Sequence, residues 1–169
     1  MPSLLLISAS GTAQRRLLEE TVADFEKKGH VISGRQEGGE WSPLLSDNLS
    51  GGLFDEKRLI VVESASLLGP FPENLDAMVE ADSSVVILLI YESDPVKIFP
   101  PDTFKKCTVL KAAPFPRWPR ERMMWTLELA GKMGIKIDRD AVSLIIELTE
   151  DPEEIRRQLI SLSMLKKGG

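Results

Sequence analysis

The chain has few of the residues that most often build metal and redox sites. Among its 169 residues there is one cysteine, Cys107, and one histidine, His30. A single cysteine excludes an internal disulfide framework, a zinc site made of cysteines and a CxxC redox pair. A single histidine excludes a His-rich metal centre and a pair of histidines that share acid–base work. We therefore expect neither a metal site nor a bound cofactor.

Long apolar runs and a basic leader are also missing. The longest apolar run, Val85–Tyr91, has the length of a strand and falls well short of the ~18 residues that a membrane span needs. Residues 1–7 carry no basic side chain ahead of their apolar stretch, which argues against a signal peptide. The sequence predicts a cytoplasmic protein with no membrane partner.

Charge is unevenly distributed along the chain. There are 21 basic and 26 acidic side chains, and the formal net charge is −5. Residues 1–112 hold 11 basic and 17 acidic residues, whereas residues 113–169 hold 10 and 9. This distribution argues against an autonomous DNA-binding domain, which usually has a basic face. It is compatible with a subunit that touches DNA inside a larger assembly.

Residues 1–112 alternate between short apolar runs and helical patterns. Near-continuous apolar runs rich in β-branched residues are typical of strands that helices cover on both faces. The alternation predicts an α/β domain with a mostly parallel five-stranded sheet and helices on both faces. The expected strands are 3–8, 30–33, 59–62, 84–91 and 107–110, the expected helices are 12–28, 42–48 and 71–80, and 34–40 is expected to be a loop.

A proline-rich stretch at 112–119 separates this part from an all-helical second part. Helical patterns cover 120–133 and 138–148, and a third begins at Asp151, with Asp138 and Asp151 as N-caps and Pro152 in the first turn. We expect a small three-helix domain over residues 113–169. Its two apolar stripes are spaced to face one another: Ala141, Leu144, Ile145 and Leu148, and then Ile155, Leu159, Leu162 and Leu165.

The order of an α/β domain and a helical lid suggests an AAA+-type ATPase, but the residues for catalysis are missing. The first turn, SASGTAQ at 8–14, has one glycine and no lysine, whereas a phosphate-binding loop needs both glycines and a lysine. Glu63 and Glu92 end the third and fourth strands without the acidic neighbour that would help to hold magnesium. Cys107 is expected to be an inert buried thiol, and His30 is expected to open a strand. No catalytic residue is predicted.

A Leu–Phe pair stands out in the segment SGGLFDEKR at 50–58. Periodicity alone favours Leu53 and Phe54 packing under the sheet edge. The alternative is an exposed plug that inserts into a partner's pocket. Burying both side chains in a partner would contribute about 3–6 kcal/mol before the costs of association.

This segment carries a family resemblance. LFDEKRLIVV at 53–62 resembles the signature LF-x-x-(K/R)R-L-(V/I)-V-V of the delta subunit of the bacterial DNA polymerase III clamp loader. The stretch from Trp118 to Asp138 is similar to the start of that family's lid domain, and 141–162 to its continuation. The likeness extends over residues 4–165.

The resemblance implies an AAA+-like (P-loop NTPase-type) fold with a degenerate nucleotide site over residues 1–112, and a lid domain over 113–169. It implies a non-catalytic subunit of the DNA polymerase III holoenzyme, a DNA-directed DNA polymerase. This subunit binds the sliding clamp and opens the ring for loading onto primed DNA during replication. The implied clamp-binding residues are Leu53 and Phe54, with Gly51, Gly52 and Asp55 beside them.

The chain departs from the family in one major respect. Delta subunits continue into a helical collar domain, which is absent from this chain. Contact with the other clamp-loader subunits would need that domain, and contact with primer–template DNA is expected only within the assembly. Two alternatives stay open: an AAA+-type ATP-binding enzyme with an atypical phosphate loop, and a generic α/β protein-interaction domain.

Overall fold

A five-stranded parallel sheet forms the centre of the first of two structural units, Met1–Ala112. The structure, a computed structural model, describes residues 1–49, 56–112 and 115–167. Lys166 and Lys167 are described by their backbone alone. The sheet order is β2-β3-β4-β1-β5, and every pairing is parallel. The predicted α/β class and five-stranded sheet are confirmed. The strands are β1 (Ser3–Ser8), β2 (Val31–Glu37), β3 (Arg58–Glu63), β4 (Val85–Tyr91) and β5 (Thr108–Lys111).

Helical segments cover both faces of this sheet. On one face, α1 (Gly11–Lys27) packs its apolar side chains against alternate residues of the strands, such as Leu5 and Ile7. On the other face lies a larger apolar cluster that contains Trp41, Phe71 and Phe99. The elements that contribute to this second layer are α2 (Trp41–Ser46), α3 (Pro101–Lys106) and the 3₁₀ segments Ala65–Leu68 and Glu73–Met78, together with Ile98 and Phe99, which follow the 3₁₀ segment Pro95–Lys97.

The edge strand β2 corrects one prediction. Residues 34–37 were expected to be loop because they are polar, but β2 continues through them to Glu37. Their backbone pairs with β3, Arg35 opposite Val61 and Glu37 opposite Glu63. Since β2 has a neighbour on one side only and is largely exposed, its side chains do not need to be apolar.

Three helices of this unit also differ from expectation. Instead of one helix over 71–80, there is a 3₁₀ segment at Glu73–Met78, preceded by Pro70 and Pro72. Helix α2 begins at Trp41, one residue before the expected span 42–48; Trp41 is buried and its indole Nε1 donates to Gly69 O at 3.1 Å. Helix α3 was not predicted at all, since its six residues are too few to show a period.

The second unit, Ala113–Gly169, contains α4 (Pro119–Lys132), α5 (Arg139–Leu148) and α6 (Pro152–Lys167), close to the predicted spans. Asp138 caps α5, its Oδ1 accepting from Ala141 N at 2.8 Å. Asp151 Oδ1 accepts from Glu153 N at 3.0 Å at the start of α6. The expectation that both full stripes face each other is wrong: Ile145, Ile155 and Leu159 are buried, but Leu144, Leu148 and Leu165 are exposed.

Candidate functional site

The predicted clamp-binding residues lie in the connection between α2 and β3. Gly51, Gly52, Leu53, Phe54 and Asp55 are outside the described residues. Both interpretations of the Leu–Phe pair therefore stay predictions. What the structure defines is the anchoring of the chain on either side of it.

Upstream of the pair, α2 is fixed to the core. Trp41, Leu44 and Leu45 are buried beneath the sheet, and the ring of Trp41 packs edge-on against Phe71 at 4.9 Å between centroids. After the helix, Asn48 Nδ2 donates to Leu44 O at 2.8 Å, which ties the exit of the chain back to the helix. The chain therefore leaves α2 from a rigid base.

Downstream of the pair, the chain is fixed at the amino end of β3. Lys57 O accepts from Val31 N at 2.9 Å, and Arg58 N donates to Ser84 O at 2.9 Å. Lys57 Nζ also donates to Lys28 O at 3.1 Å. These bonds hold the residues after the Leu–Phe pair between the neighbours of β3 on both sides.

The position of a possible nucleotide site follows from the topology. The connection that leaves β1 runs to α1 on one face, and the connection that leaves the adjacent strand β4 runs to the opposite face. In an open α/β sheet, ligands bind outside the carboxyl ends of strands at such a switch point. Here the two strand ends bond to each other: Ala9 N donates to Tyr91 O at 3.1 Å and Ser8 Oγ to Ser93 O at 3.1 Å.

The cleft beside this switch point is acidic. It has a volume of about 330 Å³, and its only charged lining residues among those the structure describes are Glu63 and Glu92. The Gln14 side chain, which also lines it, donates to Ala9 O at 2.7 Å, and Lys111 nearby is held by Asp94 at 2.6 Å. Arg35 is paired with Glu63 at 3.9 Å, so the described lining residues themselves supply no counter-charge for a triphosphate. Its lining is Gln14, Leu18, Glu63, Ser64, Ser66, Leu67, Ile90 and Glu92.

Cys107 and His30 have no catalytic partner in the described part of the chain. Burial raises the pKa of the Cys107 thiol to about 12, the Asp76 carboxylate adds to this, and Sγ donates to Thr103 O at 3.3 Å. This thiol is inert near neutral pH. His30 directly precedes β2, and burial, followed by the charge of Lys57, lowers its pKa.

The described ranges contain neither a candidate metal site nor a candidate membrane-spanning helix. These contain no group of three or more His, Cys, Asp or Glu side chains arranged to hold a metal ion. Within them, no helix has both the length and the apolar character needed to cross a bilayer.

Sequence comparison assigns no relative. No protein-family model matches the chain, and no curated protein matches it either. The resemblance to the clamp-loader delta subunit therefore depends on the motifs quoted above.

Proposed function

We propose that this chain is a non-catalytic clamp-loader subunit of the delta type, with an AAA+-like domain and a lid domain. It binds the sliding clamp through Leu53 and Phe54 and opens the ring for loading onto primed DNA. The cytoplasmic location and the other loader subunits as partners belong to the same proposal.

The observation that carries the proposal is the position of the motif in the fold. Its second half, RLIVV at 58–62, lies in β3, an interior strand that pairs with β2 and β4. Leu59 to Val62 are buried. The Leu–Phe pair therefore belongs to a connection whose two ends are both fixed, a suitable base for transmitting force to a bound partner.

The acidic cleft supports a non-catalytic subunit over the alternative of an ATP-binding enzyme. A nucleoside triphosphate brings several negative charges; Glu92 would repel them, and Glu63, which is paired with Arg35 at 3.9 Å, supplies no positive charge to offset them. A lysine that reaches the β- and γ-phosphates is the usual source of compensation, and residues 8–14 contain none.

Ring opening requires unequal affinity for two states of the clamp. A plug that bound the closed and the open ring equally would shift no population. Contacts beyond the Leu–Phe pair are therefore expected. Leu49, 40% exposed, and the adjacent Asn48 are the last described residues before the pair and can supply them.

The direct test is binding of the full chain to the sliding clamp, measured by surface plasmon resonance. Leu53→Ala combined with Phe54→Ala should weaken binding more than about a hundredfold, because both anchors lose their burial in the clamp. The matched control, Leu67→Ala with Val96→Ala, removes two exposed side chains elsewhere in the same unit and should bind like the wild type.

Thermal unfolding of the same variants separates the plug from the generic interaction domain. If Leu53 and Phe54 instead pack under their own sheet, the double variant unfolds several degrees earlier and keeps its affinity for the clamp. Equilibrium binding of ATP tests the other alternative, and saturable binding at micromolar concentration would contradict the proposal.

A further inference from the structure

A large aromatic side chain lies exposed where α4 begins. Trp118 is 69% exposed, although it belongs to a residue type that folded proteins usually bury in large part. The nearby aromatics behave differently: Phe115 and Trp125 pack edge to face at 5.1 Å between centroids and contribute to the core of the second unit. Of these three aromatic side chains, Trp118 is the exposed one.

The backbone that carries Trp118 is held on both sides. Before it, Pro116 O accepts from Arg122 Nε at 2.9 Å, and the Arg122 guanidinium also lies over the Phe115 ring and pairs with Glu150 at 2.8 Å. After it, Pro119 opens α4, and Trp118 O accepts from Arg122 N at 2.9 Å. The indole is thus presented from a fixed turn.

Two exposed arginines flank this indole in the chain. Arg117 and Arg120 form no ion pair or side-chain hydrogen bond with any residue that the structure describes, whereas Arg122 is fully engaged. Residues 115–122 contain three arginines and one glutamate in a chain whose net charge is −5. Because Arg117 and Arg120 are three residues apart, their Cα atoms lie within about 11 Å of each other. We name Arg117, Trp118 and Arg120 the tryptophan corner.

We infer that the tryptophan corner binds single-stranded nucleic acid, with a base stacked on the Trp118 indole and the neighbouring phosphates paired with Arg117 and Arg120. Stacking on an aromatic face together with cations along the backbone is the general way in which proteins hold unpaired strands. The planar guanidinium suits phosphate oxygens because it donates two parallel hydrogen bonds. This inference does not depend on clamp binding by the Leu–Phe pair.

A single strand fits the corner better than an acidic peptide or a duplex. An acidic peptide would use the two arginines but gives the exposed indole no regular stacking partner. A duplex offers phosphates but keeps its bases stacked on each other. An unpaired strand supplies both a free base face and the phosphates on either side of it.

The test is a titration of the full chain with fluorescein-labelled oligothymidine at low ionic strength, followed by anisotropy and by tryptophan emission. Trp118→Ala should weaken binding about tenfold, and Trp118→Phe should keep most of the affinity because a stacking surface remains. Arg117→Gln with Arg120→Gln should reduce the slope of log K against log salt by about 1 to 2. In the wild type, base stacking should quench the tryptophan emission, and Trp118→Phe should abolish that change.

Matched controls remove similar groups elsewhere in the same unit. Met124→Ala removes an exposed apolar side chain of α4, and Arg139→Gln removes an exposed guanidinium of α5. Both should bind oligothymidine like the wild type.

Three outcomes would overturn the inference: no measurable binding of oligothymidine at low ionic strength, equal losses in the control variants, or equally tight binding of the duplex. Binding of poly-glutamate that depends in the same way on Trp118 would assign the corner to an acidic protein partner instead.

Discussion

The two structural units bury their apolar residues to very different extents. In the first unit, β4 is buried along its whole length, because strands flank it on both sides and helical segments cover both faces of the sheet. In the second unit, Leu144 and Leu148 of α5 are 58% and 74% exposed. The buried core of this unit is small: Leu129, Ala130, Ile145, Ile155 and Leu159, with Val142 also buried.

Geometry explains this difference. A strand inside a two-sided layer has no outward face, so every side chain of β4 enters one of two apolar clusters. A helix has an apolar stripe of limited width that meets its neighbours along one side. The stripes of α5 and α6 are wider than their mutual contact. The stability of the first unit therefore depends on its buried interior. The second unit carries apolar surface that its own helices leave uncovered.

The largest expected effect comes from truncating the interior of the sheet. Leu88→Ala in β4 should lower the free energy of unfolding by about 3–4 kcal/mol, because Leu88 is fully buried and its neighbours can close the cavity only in part. Urea unfolding followed by far-UV circular dichroism and tryptophan fluorescence measures it. Leu67→Ala, at a position that is 68% exposed, is the control and should change little. Similar losses for both variants would contradict the contrast between interior and surface.

A smaller loss is expected in the second unit. Leu159→Ala should lower the stability of that unit by about 2–3 kcal/mol, toward the low end for such truncations, because the core around Leu159 is small and closes more easily. The far-UV and tryptophan signals of the full chain report it. Leu148→Ala removes the same groups from an exposed position and should cost less than about 0.5 kcal/mol. A large cost for Leu148→Ala would show that the α5 stripe is covered after all.

The same contrast decided which parts of the fold could be predicted. Strands such as β1 and β4 were identified almost to the residue, since burial on both faces requires an uninterrupted apolar run. Strand β2 was cut short because pairing at an edge is made by backbone groups, which leave no apolar pattern in the side chains. The 3₁₀ segment Glu73–Met78 was taken for an α-helix because six residues between a proline and an extended residue do not distinguish the two periods.

The candidate site could be predicted only in part. The missing lysine in residues 8–14 predicts a degenerate nucleotide site, and this stays a prediction; the structure adds that Glu63 and Glu92 line the cleft beside the switch point. The bond from Gln14 to Ala9 O could not be predicted, because no residue pattern specifies it. The exposure of Trp118 could not be predicted either, because no residue pattern specifies that Phe115 and Trp125 pack together while Trp118 stays exposed. The function of Leu53 and Phe54 stays a prediction.

At the end of β4, a substitution is expected to raise the free energy of unfolding instead of lowering it. The Tyr91 side chain belongs to the apolar cluster that contains Phe99, its hydroxyl is buried without a hydrogen-bond partner in the described residues, and burial raises its pKa far above the ordinary value of 10.0. Tyr91→Phe keeps the ring and removes the unsatisfied group, so it should stabilise the protein by about 1 kcal/mol. Urea unfolding measures the change. A loss of stability instead would show that the hydroxyl is hydrogen-bonded, for example to a buried water molecule.

The smallest effect should appear in the pH dependence of stability. Here an ion pair that joins two elements of the first unit is compared with an ion pair inside one helix of the second. Asp76 accepts from Lys106 Nζ and from the buried Thr103 hydroxyl, both at 2.8 Å, and these bonds lower the pKa of its carboxyl below the ordinary 3.8. A lowered pKa in the folded state means that the contribution is complete above pH 3.8 and is lost as the pH falls through the folded-state value. Asp76→Asn should therefore destabilise the protein at neutral pH and converge with the wild type in acid.

Glu128, whose pKa is lowered by Lys132 one turn away on α4, is the matched control. Glu128→Gln should change stability little at any pH, because both groups are solvated and already joined by their helix. Thermal unfolding at a series of pH values compares the two variants, and parallel profiles would show that joining distant elements gives the Asp76 bridge no advantage.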